Sequence, residues 1–223
     1  MKILFISLGC DKNLADSEEM LGLLTGNGHE IVDSEEEADA IVINTCCFIH
    51  DAKEESVNTI LEMAEYKKTG TCKILIVTGC MAQRYKEEIT EEIPEVDAVL
   101  GTTSYGDIVK ALNEAEAGHV FQEFKDINAL PEDSGRRVIT TGGHFGYLKI
   151  AEGCDKHCTY CIIPSLRGKF RSVPEERLLK QAEYMASQGV RELILVAQET
   201  TVYGTDLYGK KTLHLLLKKL CQI

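Results

Sequence analysis

The chain has 223 residues, 44% hydrophobic and 27% charged, which is long enough for one large or two modest packed domains. This composition excludes a disordered protein, and no apolar run is long enough for a membrane-spanning helix. The net charge of −12 is uneven: residues 1–140 carry 12 basic against 28 acidic side chains, a balance of −16, and residues 141–223 carry 12 against 8, a balance of +4. The acidic part argues against a nucleic-acid partner and favours a basic protein partner or simple solubility.

Strands and helices are predicted to alternate along residues 1–118. The apolar stretch at residues 2–9 is too short for a signal peptide and is predicted to be the first strand. We expect Asp16 and Glu19 to form a capping box for the helix that follows. The later predicted strands are 39–44, 73–79 and 97–101, and the later predicted helices are 52–68, 82–92 and 104–117. This alternation predicts an α/β fold with a doubly wound parallel sheet.

A second unit is predicted after a linker at 119–145, a stretch that contains Pro131 and has no sustained periodicity. Its predicted elements are a strand at 147–153, a helix capped by Ser172 and Glu175 and ended by Gly189, a strand at 192–198 and a helix at 212–221. This is the pattern of a βα barrel over residues 146–223. Two βα units cannot close a barrel, so we expect the chain to be the front part of a longer protein.

Nine cysteines and no secretion signal argue against a disulfide framework and favour metal ligation or catalysis. Cys154, Cys158 and Cys161 form a C-x3-C-x2-C pattern directly after a predicted buried strand. Three thiolates in one loop can hold three irons of a [4Fe–4S] cluster and leave the fourth iron open to a ligand. The alternative is a zinc site that adds His157, although no second ligand pair follows in the sequence.

Three further cysteines each follow the end of a predicted strand: Cys10, Cys46 and Cys80. Carboxyl ends of parallel strands share one edge of a sheet, so we predict that these sulfurs lie within about 7 Å of one another and form a second three-thiolate cluster site. Each of these cysteines alone would be typical of inert core packing. The remaining cysteines lack such a placement and are predicted to be structural: Cys47, Cys72 and Cys221.

The segments SLGCDKN, NTC, TGC and GCDKHCTYCIIPSLRGKFRS resemble the methylthiotransferases of the radical S-adenosylmethionine (SAM) superfamily, and the resemblance covers the whole chain. The C-x3-C-x2-C motif, with Tyr160 before its last cysteine, is the signature of that superfamily. Two branches of the family modify adenosines in transfer RNA or an aspartate in protein S twelve of the small ribosomal subunit. The motifs here are more similar to the ribosomal branch.

The resemblance implies that Cys154, Cys158 and Cys161 hold a [4Fe–4S] cluster that binds SAM, and that the three strand-end cysteines hold a second [4Fe–4S] cluster that carries the transferred sulfur. A radical derived from SAM would remove hydrogen from an unactivated β-carbon, which acid–base residues cannot do. Tyr160 would lie against the adenine region, mainly through its backbone. Gln198 would reach the amino-acid end of SAM, with Glu199 an equally placed rival, and a solvated loop end is the alternative for both.

The resemblance further implies that the rest of the barrel and a C-terminal β-domain are absent, so activity of this chain alone is not expected. The implied partners are protein S twelve as substrate and a reductant such as flavodoxin or ferredoxin, in the cytoplasm, with no membrane and no nucleic acid for this stretch. Two alternatives stay open: a transfer RNA adenosine methylthiotransferase, and a zinc-stabilised α/β interaction module without catalysis.

Overall fold

The computed structural model describes residues 1–223, and the chain divides into two compact units, Met1–Arg137 and Val138–Ile223. None of its helices combines the length and the apolar composition needed to cross a bilayer.

The first unit is built on a six-stranded parallel sheet in the order β2-β1-β3-β4-β5-β6. Its strands are β1 (Lys2–Ser7), β2 (Glu30–Val32), β3 (Ala40–Thr45), β4 (Ile74–Gly79), β5 (Ala98–Leu100) and β6 (Phe121–Glu123). The strand order reverses between β1 and β3, which is the topological switch point at which such sheets place ligands. The predicted doubly wound parallel sheet is therefore confirmed.

Five helices cover this sheet: α1 (Asp11–Gly26), α2 (His50–Thr69), α3 (Cys80–Arg84), α4 (Lys86–Glu92) and α5 (Ile108–Glu116). Ala40 and Val42 of β3 pack in one apolar cluster with residues of α1 and α5. Ile41 and Ile43 point to the opposite face because side chains alternate along a strand, and they are equally inaccessible to solvent. Burial on both faces explains why β3 is an unbroken apolar run.

Two local predictions in this unit are wrong. The first helix begins at Asp11, so Asp16 lies buried inside α1 instead of capping it. A tight turn at Gly9, with φ of 95°, brings the chain from β1 into α1 within three residues, which leaves no room for a later start. The helix predicted at 82–92 is two helices, α3 and α4, because Tyr85 has a non-helical ψ of 36°.

The segment predicted as a linker, 119–145, contains a strand that the sequence analysis missed. β6 pairs with β5 at the edge of the sheet. Further along, the buried guanidinium of Arg137 donates to the Glu18 carboxylate, with Nη2 to Oε2 at 2.5 Å. A Cβ on Gly22 would lie 2.7 Å from the backbone of Arg136, so the glycine lets this segment pack directly on α1. Contacts over more than 100 residues order this segment, and local patterns do not report them.

The second unit contains the parallel pair β7 (Phe145–Lys149) and β10 (Glu192–Val196) and the antiparallel pair β8 (Ala151–Glu152) and β9 (Arg171–Ser172). Its helices are α6 (Ile163–Arg167), α7 (Glu175–Ser187), α8 (Thr205–Tyr208) and α9 (Leu213–Leu220). β7, α7 and β10 follow the predicted βα pattern. The strand predicted at 147–153 divides at Ile150, since residues 151–152 turn to pair with β9.

The predicted capping box of Ser172 and Glu175 is wrong. Ser172 lies in β9, and its hydroxyl donates to Asp206 Oδ1 at 2.6 Å while its N–H donates to Asp206 Oδ2 at 2.8 Å. The N-cap of α7 is Pro174, which has no side-chain donor or acceptor. Ser172 therefore fixes the segment that leads into α8, not the start of α7.

Candidate metal centres and cofactor site

The three strand-end cysteines follow neighbouring strands. β1, β3 and β4 are adjacent in the sheet, and Thr45 pairs with Gly79, so Cys46 and Cys80 each follow one member of a paired position. Cys10 stands three residues beyond the end of β1, at the N-cap of α1. The carboxyl edge of the sheet thus carries three thiols on three consecutive strands, which is where parallel α/β sheets position ligands.

Two glycines allow these strand ends to approach. Gly9 and Gly79 have φ of 95° and 94°, values that other residues rarely adopt. A Cβ on Gly9 would lie 2.7 Å from Cys46 Cβ and 3.0 Å from Cys46 Sγ. A Cβ on Gly79 would lie 2.5 Å from the carbonyl oxygen of Thr45. Gly9 immediately precedes Cys10 and packs against Cys46. Gly79 immediately precedes Cys80 and packs against Thr45, the residue before Cys46.

The side chains at this edge differ in access to solvent. Cys46 and Cys80 are buried and Cys10 is exposed. Ser56 of α2 holds the Cys46 peptide on both sides, accepting from its N–H at 3.0 Å and donating to its carbonyl at 2.8 Å. No three cysteine, histidine, aspartate or glutamate side chains are oriented as a ready-made metal site. The predicted separations between the three sulfurs therefore stay a prediction.

Cys47 and Cys72 behave as neutral buried thiols. The Cys47 thiol donates to the carbonyl of Cys80 at 3.3 Å. Burial, reinforced by the neighbouring Cys80 thiol and opposed by Arg84, raises the pKa of Cys47 to about 11. The Cys72 thiol donates to the carbonyl of Ile74 at 3.3 Å, and burial raises its pKa as well. Both thiols therefore stay protonated near neutral pH and donate hydrogen bonds to backbone carbonyls.

The second thiol set lies in the loop between β8 and α6. Gly153, with φ of 74°, packs so closely that a Cβ there would lie 2.6 Å from the carbonyl oxygen of Gly168. The Cys154 N–H donates to that same carbonyl at 3.1 Å, and the Cys161 N–H donates to the Cys158 carbonyl at 3.0 Å. The backbone of the loop is thus pinned at its start and tightly turned at its end. Its three thiols are half-buried or exposed, hence accessible to a cluster.

Two other residues of this loop lie at the surface. Tyr160 is 89% exposed, so its ring is free to cover a bound ligand. His157 is exposed as well. The loop thus offers three accessible thiols and one imidazole as candidate ligands. Thiolates are the ligands of iron–sulfur clusters.

A cavity of about 190 Å³ lies beside Cys154 and extends to the residues after β10. Its lining is Cys154, Asp155, Lys156, Phe170, Glu199, Val202 and Thr205. Lys156 donates to the carboxylate of Glu199 across this cavity. That hydrogen bond, together with those from Thr201, lowers the pKa of Glu199 to about 2. Glu199 is therefore already engaged by a cation of the cysteine loop.

Gln198, the other predicted SAM contact, belongs to a buried charge network that the sequence analysis missed. Glu152 accepts from Lys149 Nζ at 3.0 Å, from Arg167 Nη1 at 3.3 Å and from Gln198 Nε2 at 2.8 Å. Burial disfavours the charged carboxylate, but the two cations and the amide outweigh it and hold the pKa of Glu152 well below its ordinary value. A charged Lys149 within an apolar strand was the available signal.

The oxygen of the Gln198 side-chain amide lies outside this charge network. Gln198 Oε1 is buried and has no hydrogen-bond partner in the protein. A buried acceptor without a partner is costly, so such an atom indicates a missing donor. Three accessible thiols, a cavity beside the first of them and this acceptor fit a [4Fe–4S] cluster with a ligand that carries an N–H donor.

The chain matches two family models. Residues 2–101 match the family described as uncharacterized protein family UPF0004, and residues 148–222 match the radical SAM superfamily. A solved structure of the cobalamin-dependent SAM radical enzyme OxsB covers 99% of this chain, and the chain covers 36% of it, with a TM-score of 0.55 and 12% identity. That likeness concerns the fold alone. Residues 148–222 therefore carry a radical SAM domain.

The sequence relatives show which methylthiotransferases the chain is similar to. The ribosomal protein uS12 methylthiotransferase RimO of Lachnoclostridium phytofermentans is 66% identical over the whole chain, and those of Clostridioides difficile and Acetivibrio thermocellus are 51% and 50% identical. The chain spans about half the length of these relatives, 50–51%. Along its whole length the chain is similar to these radical SAM methylthiotransferases, which confirms the resemblance found in its motifs. The radical SAM domain implies SAM and a [4Fe–4S] cluster as cofactors.

Proposed function

We propose that the complete protein replaces a β-carbon hydrogen of an aspartate in ribosomal protein uS12 with a methylthio group. The observation that carries this proposal is the identity of 66% and 51% to uS12 methylthiotransferases along the whole of this chain. Since the chain spans half of those relatives, the activity is assigned to the full-length enzyme. A transfer RNA adenosine substrate is the alternative within the same chemistry.

Each three-thiol set would hold one [4Fe–4S] cluster: Cys154, Cys158 and Cys161 the first, Cys10, Cys46 and Cys80 the second. When bound, the clusters and SAM supply the electron, the carbon-centred radical and the sulfur that this reaction requires. The cysteine loop keeps its thiols accessible while Gly153 and Cys154 tie its backbone to Gly168.

The remaining residues of the second unit would orient SAM. Tyr160 would cover the adenine from its exposed position in the loop. Gln198 Oε1 would accept a hydrogen bond from the SAM ammonium group, which gives this buried oxygen its missing donor. Lys156 holds Glu199 as an ion pair, so Glu199 would line the cavity without competing for the same ammonium group.

The second site would present its sulfur toward the exposed side of Cys10, while the buried Cys46 and Cys80 shield the opposite side from water. The excess of 16 acidic side chains in residues 1–140 favours a basic ribosomal protein over a polyanionic RNA as the macromolecule that approaches. A one-electron donor such as flavodoxin or ferredoxin would reduce the first cluster. Nine free thiols suit the reducing cytoplasm that we propose as the location.

The test is product mass. Full-length enzyme is incubated anaerobically with reductant, SAM, a sulfide source and either purified uS12 or unmodified transfer RNA. Exchange of hydrogen for methylthio adds about 46 Da, a gain that follows from the transferred group alone. We expect this gain on uS12, none on transfer RNA, and none with an enzyme carrying Cys154→Ala, Cys158→Ala and Cys161→Ala. A gain on transfer RNA alone would overturn the substrate assignment and leave the radical chemistry intact.

A further inference from the structure

We infer that Asn13 is a positioning residue for the three-cysteine site at the sheet edge, because its one side-chain amide contacts the chain next to Cys10, the chain next to Cys46 and the sulfur of Cys80. The inference rests on the proposed function in one respect, namely that these cysteines hold a cluster. Asn13 itself touches no reacting atom.

The amide nitrogen of Asn13 joins two strand ends. Nδ2 donates to the carbonyl of Leu8 at 3.1 Å and to the carbonyl of Thr45 at 2.9 Å. Leu8 stands two residues before Cys10, and Thr45 stands immediately before Cys46. Backbone carbonyls can only accept, so this end of the amide must be the nitrogen. Both of its hydrogens are used to set the separation of the segments that lead into the two cysteines.

The amide oxygen points to the third cysteine as a consequence. Asn13 Oδ1 lies 3.9 Å from Cys80 Sγ, within reach of a thiol donor. The amide cannot turn round to offer Cys80 an N–H without giving up both carbonyls. Asn13 is 1% exposed, so water cannot replace any of these hydrogen bonds. Displacing this side chain would therefore disturb all three cysteines at once.

A second layer of hydrogen bonds holds Asn13 from behind. Its backbone carbonyl accepts from Asn44 Nδ2 at 2.9 Å and from Ser17 Oγ at 2.9 Å. Ser17 Oγ also accepts from Asn44 Nδ2 at 2.9 Å. Ser17 belongs to the same buried network, yet no hydrogen bond described for it reaches a cysteine or a carbonyl adjacent to one. It provides a matched control for loss of the network alone.

The fixed oxygen has a consequence for a cluster held there. Hydrogen bonds to ligand sulfurs are among the factors that set the reduction potential of an iron–sulfur cluster. Asn13 presents the negative end of its carbonyl dipole to Cys80 and no N–H, so it favours the oxidised cluster. Asn13→Asp keeps the side-chain shape, removes both donors and adds a negative charge. It should loosen the strand ends and shift the potential to a more negative value.

The experiment uses the 223-residue chain carrying Cys154→Ala, Cys158→Ala and Cys161→Ala, so that only the second site can be filled. After anaerobic reconstitution we expect about four irons per chain, and less than about one with Asn13→Asp added. The clusters are reduced by one electron with dithionite before EPR, because the oxidised [4Fe–4S] cluster is EPR-silent. Ser17→Ala should keep about four irons with an unchanged EPR spectrum. Any cluster retained by Asn13→Asp, or by the milder Asn13→Ser, should show an altered EPR spectrum, and with Asn13→Asp a more negative potential.

Thermal unfolding of the apo forms separates positioning from folding. Full iron content with an unchanged EPR spectrum and potential in both Asn13 variants would overturn the inference. Equal iron loss in Ser17→Ala and Asn13→Asp at an equal loss of thermal stability would overturn it too, since the role would then be structural. If the parent chain without Asn13 changes holds no iron, the second cluster itself fails and the inference falls with it, a result distinct from the other two.

Discussion

The Glu152 carboxylate accepts a hydrogen bond from the side-chain amide of Gln198 at 2.8 Å. An ionised carboxylate can only accept, so the Gln198 nitrogen must face Glu152 and the buried Oε1 is left for another donor. Lys149 and Arg167 keep Glu152 ionised, which makes this orientation of the amide permanent at neutral pH. The buried charge network thereby decides which end of Gln198 would face SAM in the function that we propose.

Glu152→Gln should destabilise the second unit strongly. The change preserves shape but leaves Lys149 and Arg167 buried without their carboxylate, and breaking a buried pair in this way costs about 3–5 kcal/mol. Urea denaturation followed by circular dichroism measures the loss. Glu176→Gln, at an exposed position of α7, is the control and should leave the midpoint unchanged. A midpoint for Glu152→Gln equal to that of the control would contradict this account of the network.

Stability should fall in acid through the same carboxylate. The folded-state pKa of Glu152 lies below the unfolded value of about 4.3, so its contribution is fully present above that pH and is lost as the pH falls further. Glu199 has a folded-state pKa of about 2, so its contribution to stability is also lost as the pH falls below the unfolded value. Denaturation midpoints between pH 7 and pH 3 should therefore drop below about pH 4.5. The drop should be smaller in Glu152→Gln, and an identical pH profile in both proteins would count against it.

Reconstituted chain should hold about eight irons and absorb broadly near 400 nm, as thiolate-to-iron charge transfer requires. Changing Cys154, Cys158 and Cys161 together to alanine should reduce the iron to about four. Cys221→Ala, an exposed cysteine outside both sets, should change nothing. Iron and acid-labile sulfide analysis provides the measurement. Colourless protein with stoichiometric zinc, whose filled d shell gives no such band, would favour the non-catalytic interaction module.

Gly79→Ala should be far more harmful than Gly28→Ala, although both glycines have positive φ, 94° and 84°. A Cβ on Gly79 would lie 2.4 Å from Asn44 Oδ1, whereas a Cβ on Gly28 meets nothing within 4 Å. Gly28→Ala should cost only about 1–2 kcal/mol of backbone strain. Gly79→Ala should exceed that in urea denaturation and also lose iron from the second site. Equal costs and full iron would mean that close approach at this edge is unimportant.

Much of the fold and both cysteine sets could be predicted from the local spacing of residues in the sequence. The cysteines of the C-x3-C-x2-C loop are three and two residues apart, and Cys10, Cys46 and Cys80 each follow a buried apolar strand, so both sets were visible without coordinates. The alternation of strands and helices likewise predicted the parallel sheet, because strands buried on both faces must be continuous apolar runs. Asp16 and Ser172 both match a local capping pattern that the protein does not use. A tight turn at Gly9 starts α1 before Asp16, and Asp206 engages Ser172.

Tertiary structure alone decided which buried polar residues pair with one another. The partners of these residues are distant in sequence: Asn13 meets Cys80 across 67 positions, Glu152 meets Gln198 across 46, and Arg137 meets Glu18 across 119. A buried amide or carboxylate is stable only where the fold brings donors and acceptors to it. No local pattern records that meeting. The sequence by itself thus determined the thiols and the sheet that presents them. Only the folded chain determined how the polar side chains around those thiols are oriented.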